Sequence, residues 1–209
     1  MALNGDIFAP ECNGIDGVIG AYKHALNNVN LYGPTNFSEI ISKINDRCEV
    51  CEVSAFNQTY NILLIITDGV ISDMPKTIDE IVRGSDLPLS IVIVGVGEAD
   101  FDSMETLDAD TNPLYSNKYK RYMSRDIVQF VPFREFKRDT YKLAKETLQE
   151  IPGQLTSFFM SKKIFPRPIK EEDRKKIANQ LSLRSKVDPR KNVDQFQASE
   201  KEKLLEKCS

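Results

Sequence analysis

Two continuous apolar segments, at residues 60–67 and 87–97, constrain the fold of this 209-residue chain more than any other feature. They read YNILLIIT and LPLSIVIVGVG, and both are rich in β-branched side chains. Segments of this length and composition are typical of strands that are buried on both faces of a sheet. Residues 77–84, which lie between them, carry apolar side chains at helical spacing. A strand, a short helix and a second buried strand predict a parallel βαβ unit with a right-handed crossover.

The segments around this unit predict further helices and one more strand. The expected helices cover residues 14–29, 37–44, 99–107 and 140–159, the last interrupted or bent near Pro152 and Gly153, and the expected strand covers residues 127–133. Residues 108–124 are polar and contain an Asn-Pro pair, which favours a surface loop. We therefore predict an α/β fold, an open and mostly parallel sheet with helices on both faces.

The charge distribution divides the chain into an acidic body and a basic tail. Residues 160–209 contain 14 Lys and Arg against 8 Asp and Glu, a balance of +6, which leaves −9 for residues 1–159 because the whole chain carries −3. The tail also has three prolines and few apolar residues. We expect a folded domain over residues 1–159 and a mobile tail over residues 160–209. A small negative net charge does not favour nucleic-acid binding.

The sequence has no sign of export or membrane insertion. Its apolar segments are shorter than the roughly 20 residues of a membrane-spanning helix, and the first residues lack the pattern of a secretory signal. We therefore expect a cytoplasmic protein with reduced cysteines. Cys48 and Cys51 have the C-x-x-C spacing of half a zinc site or a redox pair, but no second pair follows them. Unreactive thiols are the favoured interpretation.

Asp68 is the best candidate for a functional residue because it follows the most apolar strand. In an open parallel sheet, ligands gather outside the carboxyl ends of the strands. Thr35 lies on the loop that enters the second predicted helix. A hydroxyl and a carboxylate are the hard oxygen ligands that magnesium, manganese or calcium prefer. The competing interpretation is that Thr35 caps a helix and that Asp68 is a turn residue before Gly69.

Several segments of the chain, taken in order, resemble the signatures of the copine family. They are CNGIDGV at residues 12–18, LYGPTNF at 31–37, LIITDGVISDM at 64–74, LPLSIVIVGVG at 87–97 and RDIVQFVPF at 125–133. Their order and spacing make the resemblance specific. It extends from Leu3 to about Phe159, and the basic tail lies outside it.

The resemblance implies a domain similar to the von Willebrand factor A modules, which bind proteins through a metal ion at the strand ends. Copines are calcium-dependent phospholipid-binding proteins linked to membrane-associated signalling and trafficking. On this resemblance, Thr35 and Asp68 match two of the family's metal ligands. The family's Asp-x-Ser/Thr-x-Ser motif, on a first strand central to the sheet, would precede Met1, as would two lipid-binding domains. A sheet without its first strand and an incomplete site for magnesium, manganese or calcium are therefore implied.

We expect a non-catalytic module that binds a protein partner through Thr35, Asp68, Gly69 and Asp100. Membrane contact would be indirect or would need the lipid-binding domains, with recruitment to the plasma membrane as one consequence. Two alternatives stay open. One is the similar module of ubiquitin-ligase relatives, although the zinc ligands of their ring domain are lacking. The other is an Asp-based phosphotransfer enzyme, a class that typically has a second acid where this chain has Val70.

Overall fold

The computed structural model describes residues 2–30, 33–108, 112–136, 139–166, 172–176 and 179. Between residues 2 and 166 the helices are α1 Gly14–Leu26, α2 Ser38–Val50, α3 Met74–Gly84, α4 Asp102–Asp108, α5 Phe133–Phe136, α6 Thr140–Leu148 and α7 Ile151–Ser161. Residues 172–176 are also helical. The strands are β1 Asn61–Thr67, β2 Leu89–Gly95, β3 Tyr115–Ser116, β4 Arg121–Tyr122 and β5 Val128–Pro132. The chain forms two compact units, Met1–Pro34, which contains α1, and Thr35–Ser209, which contains the other elements.

Strands β1, β2 and β5 form a parallel sheet in which β2 is central. Asn61 pairs with Leu89 and Thr67 with Gly95, so β1 and β2 run side by side over their full length. The pairing of β2 with β5 begins at Ile91. An open parallel sheet crossed by helices confirms the predicted α/β fold class.

The main core lies between this sheet and helices α2, α3 and α4. Ile91 and Ile93 of β2 are fully buried in one apolar cluster with Ile41 of α2, Ile81 of α3 and Met104 of α4. Burying a side chain of this size contributes about 1.5–3 kcal/mol. The cluster explains why α2 and α3 form helices here, since each presents one apolar face to the sheet.

Helix α7 packs against the opposite face of the sheet. Successive side chains of a strand alternate between its faces, so Ser90 points away from Leu89 and Ile91. The Ser90 hydroxyl donates a hydrogen bond of 2.6 Å to Gln154 Oε1 of α7 and lies 2.8 Å from the Tyr60 hydroxyl. Helices therefore lie on both faces, as the sequence predicts.

Strand β1 differs from the expectation of a strand buried on both faces. Its burial alternates: Leu63 and Ile65 pack against the core, whereas Ile62, Leu64 and Ile66 are 53%, 53% and 66% exposed. The reason is the covering of the exposed face, because α7 packs there on β2 and not on β1, and side chains of a strand project from the faces of the sheet. A continuous apolar run correctly predicts the strand, but the prediction of two buried faces is right for β2 and wrong for β1.

Helix α1 forms as predicted, although it ends at Leu26 instead of residue 29. Of the apolar residues that define its predicted face, Ala25 is buried, and the exposed ones are Ile15, Val18, Ile19, Tyr22 and Leu26. Helical spacing indicates that a helix is amphipathic, but it does not supply the surface that covers the apolar face.

The segment expected to be a surface loop, residues 108–124, contains a short hairpin made of β3 and β4. Leu114, Ser116 and Met123 are buried, and the Ser116 hydroxyl donates to Asp79 Oδ1 at 2.5 Å. Two-residue strands leave too short a pattern to be recognised in a polar sequence.

The C-terminal helix is divided into α6 and α7 by Gln149 and Glu150. The helix is therefore interrupted near Pro152, as the sequence predicts, and Pro152 lies in the first turn of α7, where a missing N–H costs nothing. Most of the predicted mobile tail, residues 160–209, lies outside the described residues. None of the helices in the described ranges is long and apolar enough to cross a membrane.

A matched pair of substitutions tests this distribution of burial. Ile93→Ala removes side-chain atoms from a fully buried position and should lower the free energy of unfolding by about 2–5 kcal/mol. Ile66→Ala removes the same atoms from the exposed face of β1 and should cost less than about 1 kcal/mol. Urea unfolding of dilute protein, followed by circular dichroism, measures both values. Equal losses would contradict the exposed face of β1.

Candidate binding site at the carboxyl ends of the strands

The parallel register brings the ends of β1 and β2 to one edge of the sheet. Thr67 is opposite Gly95, and the Val96 N–H donates to the Thr67 carbonyl oxygen at 2.8 Å. Asp68 and Gly69 follow β1 directly, and Asp100 lies in the segment between β2 and α4. The segments that carry these three residues therefore leave the sheet at the same edge, where ligands gather in open parallel sheets.

Thr35 contacts the loop that follows β1. The Ser72 N–H donates to the Thr35 carbonyl oxygen at 2.8 Å. A Cβ atom added to Gly69 would lie 2.9 Å from Thr35 Oγ1, closer than real side chains tolerate. The Gly69 N–H also lies 3.3 Å from Thr67 Oγ1. Glycine at this position lets the Thr35 hydroxyl approach the backbone beside Asp68.

The two acidic candidates are both exposed. Within the part of the chain that the structure describes, the Asp68 carboxylate accepts no hydrogen bond and forms no ion pair. Asp100 has a local role, because its Oδ1 accepts a 3.0 Å hydrogen bond from the Asp102 N–H at the start of α4. Asp68 is therefore the acid at this edge whose oxygens are open to a ligand.

Asp73 is a structural residue of this site that the sequence analysis missed. Its carboxylate oxygens accept hydrogen bonds of 3.0 Å from the backbone N–H groups of Phe37 and Ser38, at the start of α2, and one of 3.2 Å from the Thr77 hydroxyl. The interpretation of Thr35 as the cap of α2 is therefore wrong, since Asp73 fills that role. Because Asp73 directly precedes α3, its place in the sequence suggests a cap for α3. The sequence gives no sign that it caps α2.

These hydrogen bonds change the acidity of Asp73. Partial burial opposes ionisation, but the donors from Ser38, Phe37 and Thr77 outweigh it, and the pKa of Asp73 is lowered below its ordinary value. A carboxylate that is ionised over a wide pH range holds the first turn of α2 and the start of α3 together. The Thr35 loop is positioned by this contact.

The oxygens at this edge make up only part of a divalent metal site. Thr35 and Asp68 offer a hydroxyl and a carboxylate, whereas magnesium and calcium take about six or more oxygen ligands. Among the described residues there is no group of three His, Cys, Asp or Glu side chains suited to a metal ion. The carboxylate of Asp73 is already occupied by its hydrogen bonds. A complete metal centre does not fit these residues.

The C-x-x-C segment shows no feature of a reactive site. Cys48 is buried in the core cluster at the end of α2, and Cys48 and Cys51 are both free thiols. Burial, and to a smaller extent the neighbouring Cys51, raise the pKa of Cys48 to about 11. Since the thiolate is the reactive form, the structure favours the interpretation of an unreactive thiol.

A charged groove of about 570 Å³ lies between α2 and α3. Arg83 of α3 bonds to Glu80 and Glu49, each at 2.9 Å, and also pairs with Asp46 of α2. The Asn45 side chain adds a 2.9 Å hydrogen bond to the Glu80 carbonyl oxygen. The hydrogen bond to Glu49 and the nearby acids raise the pKa of Arg83. The charges beside this groove thus join the two helices to each other.

Comparisons with known proteins agree with this architecture. The sequence profile of the family described as Copine matches residues 1–167. A relative from Caenorhabditis briggsae, named nicotinic receptor-associated protein 1, is 47% identical over 171 residues, which cover 77% of this chain and 27% of the relative. The chain thus spans little more than a quarter of the length of this curated relative.

The Asp73 contact predicts a pH-dependent contribution to stability. The pKa of Asp73 is lower in the folded protein than in the unfolded chain. Its carboxylate therefore stabilises the fold at pH values above the unfolded pKa of about 3.9. This stabilisation is lost as the pH falls through the lower pKa of the folded protein. Asp73→Ala should lower the free energy of unfolding by about 1–2 kcal/mol at neutral pH, as loss of a helix cap does, and by less in acid. Urea unfolding of both proteins at pH 7 and in acid measures the two differences. A cost that is the same at both pH values would contradict the role of the charge.

Proposed function

Because the chain belongs to the copine family, we propose that it is a non-catalytic protein-binding module whose contact surface is the carboxyl-end edge of its sheet. The contact residues are Thr35, Asp68, Gly69 and Asp100. One observation carries the proposal: Asp68 is exposed directly after a strand of the parallel sheet, beside the close contact of Thr35 with Gly69. An acid and a hydroxyl on two loops that are hydrogen-bonded to each other suit recognition of a partner surface.

Binding is favoured over catalysis by the contacts of the candidate residues. A catalytic nucleophile needs a base within hydrogen-bond reach, and in the described part of the chain no hydrogen bond joins the Thr35 hydroxyl to the Asp68 carboxylate. The histidine His24 lies on α1, where its Nε2 is 3.4 Å from Asn28 Nδ2. These contacts support a binding role and give no support to the phosphotransfer alternative.

Metal binding at this edge is weak under the proposal. Thr35 and Asp68 would hold magnesium, manganese or calcium with two protein oxygens, fewer than a tight site needs. The ion would add positive charge that attracts an acidic group of the partner. The partner contact itself depends on the protein residues.

The partner is a membrane protein under this proposal. The relative from Caenorhabditis briggsae is named for association with a nicotinic receptor, and a partner of this kind would bring a cytoplasmic module to the plasma membrane. Calcium-dependent phospholipid binding, which the family resemblance assigns to other domains, is then not required of this module.

A binding measurement with a nicotinic receptor tests the contact surface. Asp68→Ala removes the exposed acid, and Gly69→Ala forces Thr35 Oγ1 away. Each change should weaken binding of detergent-solubilised receptor to the immobilised chain by about tenfold or more, equivalent to about 1.4 kcal/mol.

The matched control is Asp86→Ala, because Asp86 is exposed, lies at the opposite ends of the strands and makes a surface ion pair with Arg121. This control should bind like the unchanged chain. Absence of binding by the unchanged chain, or equal loss in all three variants, would count against the proposal.

Titration calorimetry tests the metal. We expect magnesium to bind without saturation at low millimolar concentration, since two protein oxygens leave most of its hydration in place. Tight, saturable binding that Asp68→Ala abolishes would show a complete site and contradict this part of the proposal.

A further inference from the structure

The hairpin made of β3 and β4 is held on the domain by one of its two faces. Leu114 and Met123, which flank the two strands, are buried in the core cluster. The Ser116 hydroxyl donates to Asp79 of α3, and the Arg121 guanidinium donates to a backbone carbonyl oxygen of the same helix at 3.2 Å. A hairpin this short has little stability of its own. These contacts therefore make it a fixed part of the protein surface.

The opposite face of the hairpin presents two tyrosines. Tyr115 and Tyr122 lie directly across from each other, and because neighbouring residues of a strand point to opposite faces, both point away from the core. Their ring centroids are 4.9 Å apart with the ring planes at 63°. The two side chains are 40% and 61% exposed. The outer face is thus an open aromatic surface on which each ring is held by the other.

Basic side chains surround this tyrosine pair. Residues 112–124 contain Lys118, Lys120 and Arg121 and no Asp or Glu, whereas residues 1–159 as a whole carry −9. Lys118 is 58% exposed, and its Nζ lies 3.6 Å from a carboxylate oxygen of Glu80, a long distance for an ion pair. The same Nζ lies 4.9 Å from the ring centroid of Tyr119. The hairpin is therefore a basic and aromatic surface on an acidic domain.

Lys120 is the cation of the hairpin that is open to a ligand. Its side chain is exposed, and it forms no ion pair with any residue that the structure describes. Its φ of 53° is a conformation that glycine and asparagine adopt more easily than lysine. The geometry of the turn therefore does not account for a lysine at this position.

We propose that the outer face of the hairpin binds an acidic segment of another protein. Carboxylates of the segment contact Lys118 and Lys120, and an apolar side chain between them packs on the tyrosine pair. Tyrosine is among the residues that most often dominate the binding energy of an interface. Because the hairpin is already held in place, little of that energy is lost in ordering it.

This surface is separate from the carboxyl-end edge of the sheet. Arg121 of the hairpin pairs at 2.7 Å with Asp86, which precedes β2. The hairpin therefore lies toward the amino ends of the strands, and the proposal is independent of the proposed function.

Charge and shape favour a protein segment over a lipid surface. Anionic lipids also attract lysine, and tyrosine is common at membrane interfaces. A membrane, however, is a broad plane that would also face the acidic body of the domain, whereas a narrow segment contacts the hairpin alone. The aliphatic side chains that could enter a lipid layer, Leu114 and Met123, are buried.

Fluorescence anisotropy with the full 209-residue chain tests the proposal. The probe is a fluorescein-labelled peptide of glutamates that flank a central leucine. It should bind with a dissociation constant on the order of 100 µM at low salt and more weakly as salt is added. Tyr122→Ala and Lys120→Gln should each raise the dissociation constant about fivefold or more. Lys120→Gln changes only an exposed turn side chain, so its effect does not depend on a folding defect.

The matched controls lie on α6, which follows the carboxyl end of β5. Tyr141 is 62% exposed, nearly the same as Tyr122, and Lys145 is exposed like Lys120. Tyr141→Ala and Lys145→Gln should bind the peptide like the unchanged chain. These comparisons are needed because the basic residues of the tail also attract an acidic peptide.

Nuclear magnetic resonance of the unchanged chain gives a readout without a variant. Titration with the glutamate peptide should shift the backbone amide signals of residues 115–122. The amides of Asp68 and Gly69, at the carboxyl-end edge, should not shift.

Four outcomes would overturn the proposal. The first is no binding of the peptide at about 1 mM. The second is the same affinity in the hairpin variants as in the unchanged chain, which would assign the binding to the tail. The third is an equal loss of affinity in the α6 variants. The fourth is capture of the chain by phosphatidylserine vesicles, lost in Tyr122→Ala and Lys120→Gln, without any binding of the peptide.

Discussion

The parallel pairing of β2 with β1 and β5 is the constraint on which the rest of the structure depends. It buries Ile91 and Ile93 against the helices of one face and places Ser90 against α7 on the other. It also sets where β1 and β2 end. The position of Asp68 beside the Thr35 loop therefore depends on the pairing of the strands and not on local sequence alone.

The fold class could be predicted because its evidence is local. Two apolar runs and the helical spacing between them identify β1, α3 and β2, and the structure confirms all three. The burial of a strand's side chains, in contrast, depends on elements that are distant in the sequence. The sequence of β1 is as apolar as that of β2, but α7 packs on one face of β2 and not on the same face of β1, and Ile62, Leu64 and Ile66 remain exposed.

The sequence could predict which residues lie at the carboxyl ends of the strands, but it could not predict the hydrogen bonds and close contacts between them. The strand-end rule identifies Asp68, and the family resemblance identifies Thr35. That Asp73 caps α2 depends on a contact between residues 36 positions apart in the chain, for which the sequence has no periodic signal. The close approach of Thr35 to Gly69 is likewise a product of folding.

The loop from Thr67 to Asp73 is fixed at three points, by Val96 at its start, by Thr35 at Ser72 and by the start of α2 at Asp73. A backbone held this way has little conformational freedom to lose when a partner arrives. Ordering a free loop would cost part of the affinity. The backbone at Asp68 is thus held in place, whereas its exposed carboxylate keeps its side-chain freedom.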